Sequence, residues 1–275
     1  VGQDWQIENR SQTVAGDEPE FLQVGRNFER PILQIAGQLR VGSAPEPVSI
    51  SVPQPAAYFA KRFQQVLRDA GIQVDQVKLA TDALPAAAEE IAGITSPPLA
   101  ELLKETNQQS NNLYAEALLR LLGTTQAAPD RSSLESGLEA LQTTLTRLGI
   151  PSNGYVLADG SGLSRHDLVS PTAFVETLQA MARSPYALIY RNSLAVAGSS
   201  GTLRHRFQDS PVQNYLEGKT GFISGAAALS GYLEPPHYSP LAFSILANHF
   251  DQPIGEVQQA IDRVVEVLAR LKPCQ

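Results

Sequence analysis

The sequence predicts an α+β fold, and three observations carry that prediction. Residues 1–52 alternate apolar and polar side chains with a period of two, as half-buried strands do. The middle of the chain carries leucine stripes at helical spacing. The last third returns to strands before a closing amphipathic helix, so helices bracket antiparallel strands and no βαβ repeat emerges.

In the first region, Trp5 and Ile7 alternate with polar neighbours. Leu33, Ile35 and Leu39 do the same, as do Val48, Ile50 and Val52 around Ser49 and Ser51. A helix follows with Phe59, Phe63, Val66, Leu67 and Ala70 on one face and Gly71 as its stop. Val74, Val77 and Leu79 suggest a further strand, and residues 80–98, rich in Ala, Pro and Glu, suggest a linker. A helix over Leu99–Glu105 precedes one carrying Leu113, Ala117 and Leu121. The stripe Leu134, Leu138, Leu141, Leu145 and Leu148 opens on a Ser132…Glu135 capping box and closes at Gly149. Ser170-Pro171 starts a helix with Phe174, Leu178 and Met181 inward. Strands are expected at 216–220, 226–233 and 241–248, then a helix burying Val257, Ile261, Val264, Leu268 and Leu271.

Composition bounds the function. With 43% hydrophobic and 18% charged residues in 275, the chain has ample material for one large or two smaller cores. A net charge of −7 supplies no basic stripe for phosphates, which argues against nucleic acid as a partner. The same charge gives no attraction to anionic lipid, and no apolar run approaches the ~20 residues of a membrane span, so any membrane association is at most peripheral. The single cysteine, Cys274, precludes an intrachain disulfide. The four histidines, His166, His205, His237 and His249, lack ligand spacing, so neither a metal nor another cofactor is expected.

Three short segments carry chemistry. Lys219-Thr220-Gly221 lies on the first of the expected late strands and places a cation, a hydroxyl and a glycine on one edge, suited to a substrate carboxylate. Composition alone predicts about 0.02 copies of that triplet. Ser110-Asn111-Asn112 sits between two helices; about 0.7 copies of Ser-x-Asn are expected by chance. Ser110 is then either the N-cap of the second helix or a hydroxyl that relays a proton into a cleft beside the Asn112 carboxamide. Asp159-Gly160-Ser161-Gly162-Leu163-Ser164-Arg165 reads as a tight turn held by Asp and Ser side chains. Gly198–Leu203 is either a second cleft-lining loop or a connector. A Ser-His-Asp triad from Ser161 or Ser164 with His166-Asp167 is disfavoured, because no Gly-x-Ser-x-Gly elbow occurs and adjacent residues rarely form a triad.

Together Ser110-x-Asn112, Lys219-Thr220-Gly221, the Asp159–Arg165 loop and Gly201-Thr202-Leu203 resemble the penicillin-binding D-Ala-D-Ala carboxypeptidases/endopeptidases of the S13 type, which carry an insertion within the transpeptidase domain. The resemblance implies a serine β-lactamase/DD-peptidase-like domain at 96–275 and a β-rich inserted accessory region, with one helix, at 1–95. It also implies catalytic roles for Ser110, Asn112 and Lys219 and substrate-binding roles for Thr220, Gly221 and Phe222. Phe222 departs from the family's usual Thr or Ser there; its backbone N–H would serve the oxyanion hole, but a hydroxyl is lost. The implied partners are peptidoglycan stem peptides and, in an intact protein, β-lactams, with export to the periplasm or cell envelope.

The family's acylated serine lies in Ser-x-x-Lys, and no serine here has a lysine three residues on. With Val1 in first position, the expectation is a chain that begins after that motif and is inactive alone. A non-catalytic peptidoglycan-binding module of the same fold is the alternative, and an unrelated serine esterase a third reading.

Overall fold

The computed structural model describes residues 5–27, 29–45, 48, 50–80, 88–125 and 130–273. Cys274, Ser49 and residues 81–87 of the expected linker therefore lie outside the described residues. The chain divides into two compact units, 1–93 and 94–275.

The first unit holds β1 (Gln6–Val14), β2 (Phe21–Arg26), β3 (Ile32–Arg40) and α1 (Pro55–Asp69). The sheet order is β1-β3-β2, with β1 parallel to β3 from Gln6↔Ile32 to Val14↔Arg40 and β2 antiparallel to β3. Two expected strands are corrected: Val48 and 50–52 have no strand structure, nor do Val74, Val77 and Leu79. Their alternation finds no ladder partner, and pattern alone does not make a strand. Strand β2 lies within the region read as β, but no alternation singled it out, because Phe21 and Leu22 are adjacent. Helix α1 ends at Gly71 as anticipated, with φ +80° and its N–H on Arg68 O. Its apolar face, however, is open: Phe59 is 70% and Phe63 53% exposed, the two rings stacked with centroids 6.1 Å apart.

The second unit starts with α2 (Leu99–Gln108), α3 (Asn112–Thr124) and α4 (Ser133–Arg147). The capping box forms: Glu135 N–H donates to Ser132 Oγ, and Ser132 N–H donates to Glu135 Oε2. Helices α3 and α4 cross closely through paired glycines. A Cβ on Gly123 would lie 2.0 Å from Ser133 O, and one on Gly137 would lie 2.2 Å from Leu119 O. A short hairpin of β4 (Tyr155–Val156) and β5 (Leu168–Val169) leads to α5 (Pro171–Ala182), capped by Ser170. Of the residues expected inward on α5, Leu178 is buried while Phe174 keeps 37% of its surface exposed. Helix α6 (Ala187–Ser193) then runs into β6 (Ala195–Val196).

The main sheet has the order β6-β7-β8-β9, with β7 (Leu216–Ile223), β8 (Ala226–Leu233) and β9 (Leu241–Asn248) all antiparallel. Helix α7 (Ile254–Leu268) covers it, and Leu203, Val212, Leu216, Leu229, Leu233, Ile261 and Val265 form the principal core. The α7 stripe is corrected by one position: Val265 is buried and Val264 is 49% exposed. Two adjacent valines satisfy the same periodicity, so packing decides between them.

Candidate active site

The site forms where the α2–α3 turn meets the edge of β7. Helix α2 ends at Gln108, and Ser110 takes a left-handed conformation with φ 54° before α3 begins. A serine held there is strained by about 1–2 kcal/mol, so its surroundings must over-determine it. The capping reading of Ser110 is corrected: Asn111 is the N-cap, accepting from Tyr114 N–H at 3.2 Å. Freed from that duty, Ser110 Oγ accepts a hydrogen bond from Lys219 Nζ at 2.7 Å, across 109 residues of sequence. Asn111 Nδ2 donates back to Glu105 Oε1 at 3.3 Å, which ties the turn to α2. Asn112 is the first residue of α3 and is exposed, and no hydrogen bond to another described residue engages its amide.

Lys219 also donates to Thr220 O at 2.7 Å. It enters no salt bridge among the described residues. Burial without a counter-charge pushes its ammonium down to about 8. A partly desolvated cation with only neutral oxygens around it attracts an incoming carboxylate strongly.

The backbone of β7 adds directional donors. Strand β6 pairs with Glu217 and Gly218, and Ala197 N–H donates to Leu216 O at 3.0 Å, so the edge is open only from Lys219 to Ile223 among the described residues. Thr220 O faces this open edge, since it receives Lys219 Nζ; in an antiparallel ladder the N–H and C=O of every second residue point to the same side. The Phe222 N–H therefore faces the same way, toward the space beside Ser110. Its ring is 57% exposed. Thr220 Oγ1 donates to Thr202 Oγ1 at 2.8 Å, and Gly221 lies between these two donors on the edge.

The Asp159–Arg165 loop is built as the sequence reading described. Asp159 accepts the N–H groups of Gly162 at 2.6 Å and Ser164 at 2.7 Å. Burial works to raise its carboxyl, but those donors outweigh it and hold the group below its usual value. Asp167, by contrast, is raised by burial and by the neighbouring Asp159 charge, and its Oδ1 accepts Ala158 N–H at 2.7 Å. Its other oxygen, Oδ2, is buried with no hydrogen-bond partner among the described residues. Glu116 of α3 accepts from Gly160 N–H at 2.9 Å and Ser161 N–H at 3.2 Å, and Arg165 reaches Ser224 O at 3.0 Å. Glu116 was missed in the sequence because nothing local marks a helix carboxylate that serves a loop 44 residues on.

Residues 2–270 match the D-Ala-D-Ala carboxypeptidase 3 (S13) family. The chain belongs to that family. It is 34% identical to the D-alanyl-D-alanine carboxypeptidase of Actinomadura sp. (strain R39) over 93% of this chain and 48% of that protein. It is 30% identical to D-alanyl-D-alanine carboxypeptidase DacB of Haemophilus influenzae over 79% of this chain and 45% of that one. The chain thus spans about half the length of the curated relatives it matches. Penicillin-binding protein 4 (DacB) of H. influenzae superimposes with a TM-score of 0.81 at 26% identity, covering 98% of this chain and 62% of the other. That protein has also been solved in complex with a β-lactam. The α+β, DD-peptidase-like fold agrees with membership of the D-Ala-D-Ala carboxypeptidase 3 (S13) family.

Proposed function

We propose that Ser110, Asn112, Lys219, Thr220, Gly221 and Phe222 form the substrate-carboxylate side of a serine D-Ala-D-Ala carboxypeptidase/endopeptidase acting on peptidoglycan stem peptides. The observation that carries this reading is the Lys219–Ser110 contact at the open edge of β7, a cation with no acid partner among the described residues bonded to a strained serine. In this reading a stem peptide lies along that edge as an added strand. Lys219 and Thr220 meet its terminal carboxylate, and the Asn112 amide meets its backbone.

The reaction is acyl transfer through a serine ester. The attacking hydroxyl adds to the D-Ala-D-Ala carbonyl as its proton passes to the lysine of Ser-x-x-Lys, from which Ser110 relays it onward, and the oxyanion is met by Phe222 N–H and by the nucleophile's own N–H. The tetrahedral species collapses by breaking the C–N bond, and Ser110, backed by Lys219, passes a proton to the departing D-Ala nitrogen. Water then hydrolyses the ester. No serine in these 275 residues is followed by lysine at the third position, so the reading places the nucleophile outside them and expects no acyl-enzyme from this chain alone. The same absence favours the second reading, a peptidoglycan-binding module without chemistry. Export to the cell envelope follows from the substrate; no described helix is long and apolar enough to cross a membrane.

Calorimetric titration with a D-Ala-D-Ala-terminated peptide tests the cleft, with the L-Ala-L-Ala peptide as control. Selective binding lost in Lys219→Ala supports it, and equal affinity for both peptides overturns it. Intact-mass analysis with labelled penicillin should find no adduct, whereas a stoichiometric adduct would place a nucleophile within these residues.

A further inference from the structure

The geometry points to Gly201-Thr202 as a two-residue strut that sets the approach of Ser110 to Lys219. This inference rests on the reading of that pair as the proton-handling centre. Four contacts make the case. The backbone of Gly201 lies directly on that of Gln108, two residues before Ser110; a Cβ there would be 2.6 Å from Gln108 O and 3.0 Å from Gln108 Cα. Thr202 Oγ1 accepts from Thr220 Oγ1 at 2.8 Å, one residue after Lys219. Lys219 Nζ then closes the ring to Thr220 O and Ser110 Oγ, both at 2.7 Å. Behind the strut, Leu203 is wholly buried, so the segment cannot drift.

The serine side of the ring is fixed by the segment just ahead of the strut. Gln108 Nε2 donates to Asn192 O at 3.3 Å and Leu194 O at 3.1 Å, while Asn107 Nδ2 donates to Ser193 Oγ at 2.7 Å. The last turn of α2 is thus pinned to the entry of β6, and Gly201 sets how near it stands to β7. Gly201 also has φ +56°, so glycine is favoured by conformation as well as by space. A few tenths of an ångström at Gln108 O move Ser110 with it, because packed interiors transmit displacement with little compliance. Positioning, not contact with substrate, is the role assigned to both residues.

Gly198 provides an internal control. It has φ +66°, close to that of Gly201, but the three atoms nearest a Cβ there all belong to the Gln213 side chain, the first at 2.8 Å. Alanine at either position imposes similar backbone strain, and only Gly201→Ala presses on the Ser110 turn.

The test follows the Lys219 Nζ titration by NMR in the 275-residue chain, assigned through Lys219→Arg. The starting midpoint is about 8 because the ammonium is buried. Gly201→Ala should admit water and raise that midpoint by about one pH unit or more toward the usual lysine range, with Gly198→Ala nearly unchanged. Thr202→Val should move it the same way by a smaller amount, and Thr202→Ser should restore it. Equal shifts in the two alanine variants, or none in either, would overturn the strut. If Gly201→Ala does not fold, the Thr202→Val and Thr202→Ser pair decides, since neither strains the backbone; identical titrations from those two would also overturn it. Should the wild-type chain fail to bind D-Ala-D-Ala peptide while Gly201→Ala still shifts Lys219, the strut stands and the functional reading falls.

Discussion

The two units contrast in how sequence pattern turns into buried surface. In the first, nine residues of β1 pair with β3 in continuous register, yet Leu33 is the one apolar side chain buried among the described residues there. In the second, β7, β8 and α7 place Leu216, Leu229, Leu233 and Val265 at 0% exposure. Both regions show clean periodicity in sequence. Periodicity therefore reports which residues share a face, and only packing reports whether that face is covered.

The contrast is sharpest in core deletions. Leu229→Ala should cost the second unit about 2–5 kcal/mol, read from denaturant midpoints, because a fully enclosed side chain leaves a cavity. Phe63→Ala on α1 should cost less than about 1 kcal/mol, since its ring is already half in water; a loss equal to that of Leu229→Ala would break the comparison. Next in size is the site. Lys219→Ala should weaken D-Ala-D-Ala peptide binding about 10- to 100-fold by calorimetry, whereas Phe63→Ala should leave affinity unchanged.

A pH series sharpens the same point. Lys219 has a native value below that of a free lysine, so between about 8 and 10.5 the unfolded chain binds the proton that the native chain has released. Native stability should accordingly rise through that window, and the rise should disappear in Lys219→Met. Peptide affinity should fall over the same range as the ammonium is lost, so stability and binding move in opposite directions. The smallest expected effect is Ser132→Ala, about 1 kcal/mol from loss of the capping box on α4.

Much of the second unit was legible because its signals were redundant. The strands at 226–233 and 241–248, the Ser132…Glu135 box and the Gly149 stop each combine propensity with a boundary residue. Where a single signal stood alone it failed: the Val74, Val77 and Leu79 alternation has no ladder partner, and the α7 stripe slipped between Val264 and Val265. In the site, Ser110 and Lys219 were identifiable by type and order, and the structure brings them together. Thr202 was marked as part of the Gly198–Leu203 segment and of the Gly201-Thr202-Leu203 resemblance, with no role of its own. Its bond to Thr220 depends on a short 3-10 turn that composition does not specify. Glu105 and Glu116 were invisible for a similar reason, since each acts on backbone or amide groups brought near by tertiary packing.

The unpaired stretch of β7 has a further consequence. A bare sheet edge invites the strand of a second copy, and proteins guard such edges against aggregation with charge, brevity and irregularity. Here the bare part spans five residues, Lys219 to Ile223, with a lysine at one end and a glycine in the middle. Lysine and glycine fit the part of gatekeepers: a charge at one end and a residue without a side chain in the middle make the edge unfavourable to a long neutral strand, which is compatible with the proposed docking of a short anionic peptide terminus.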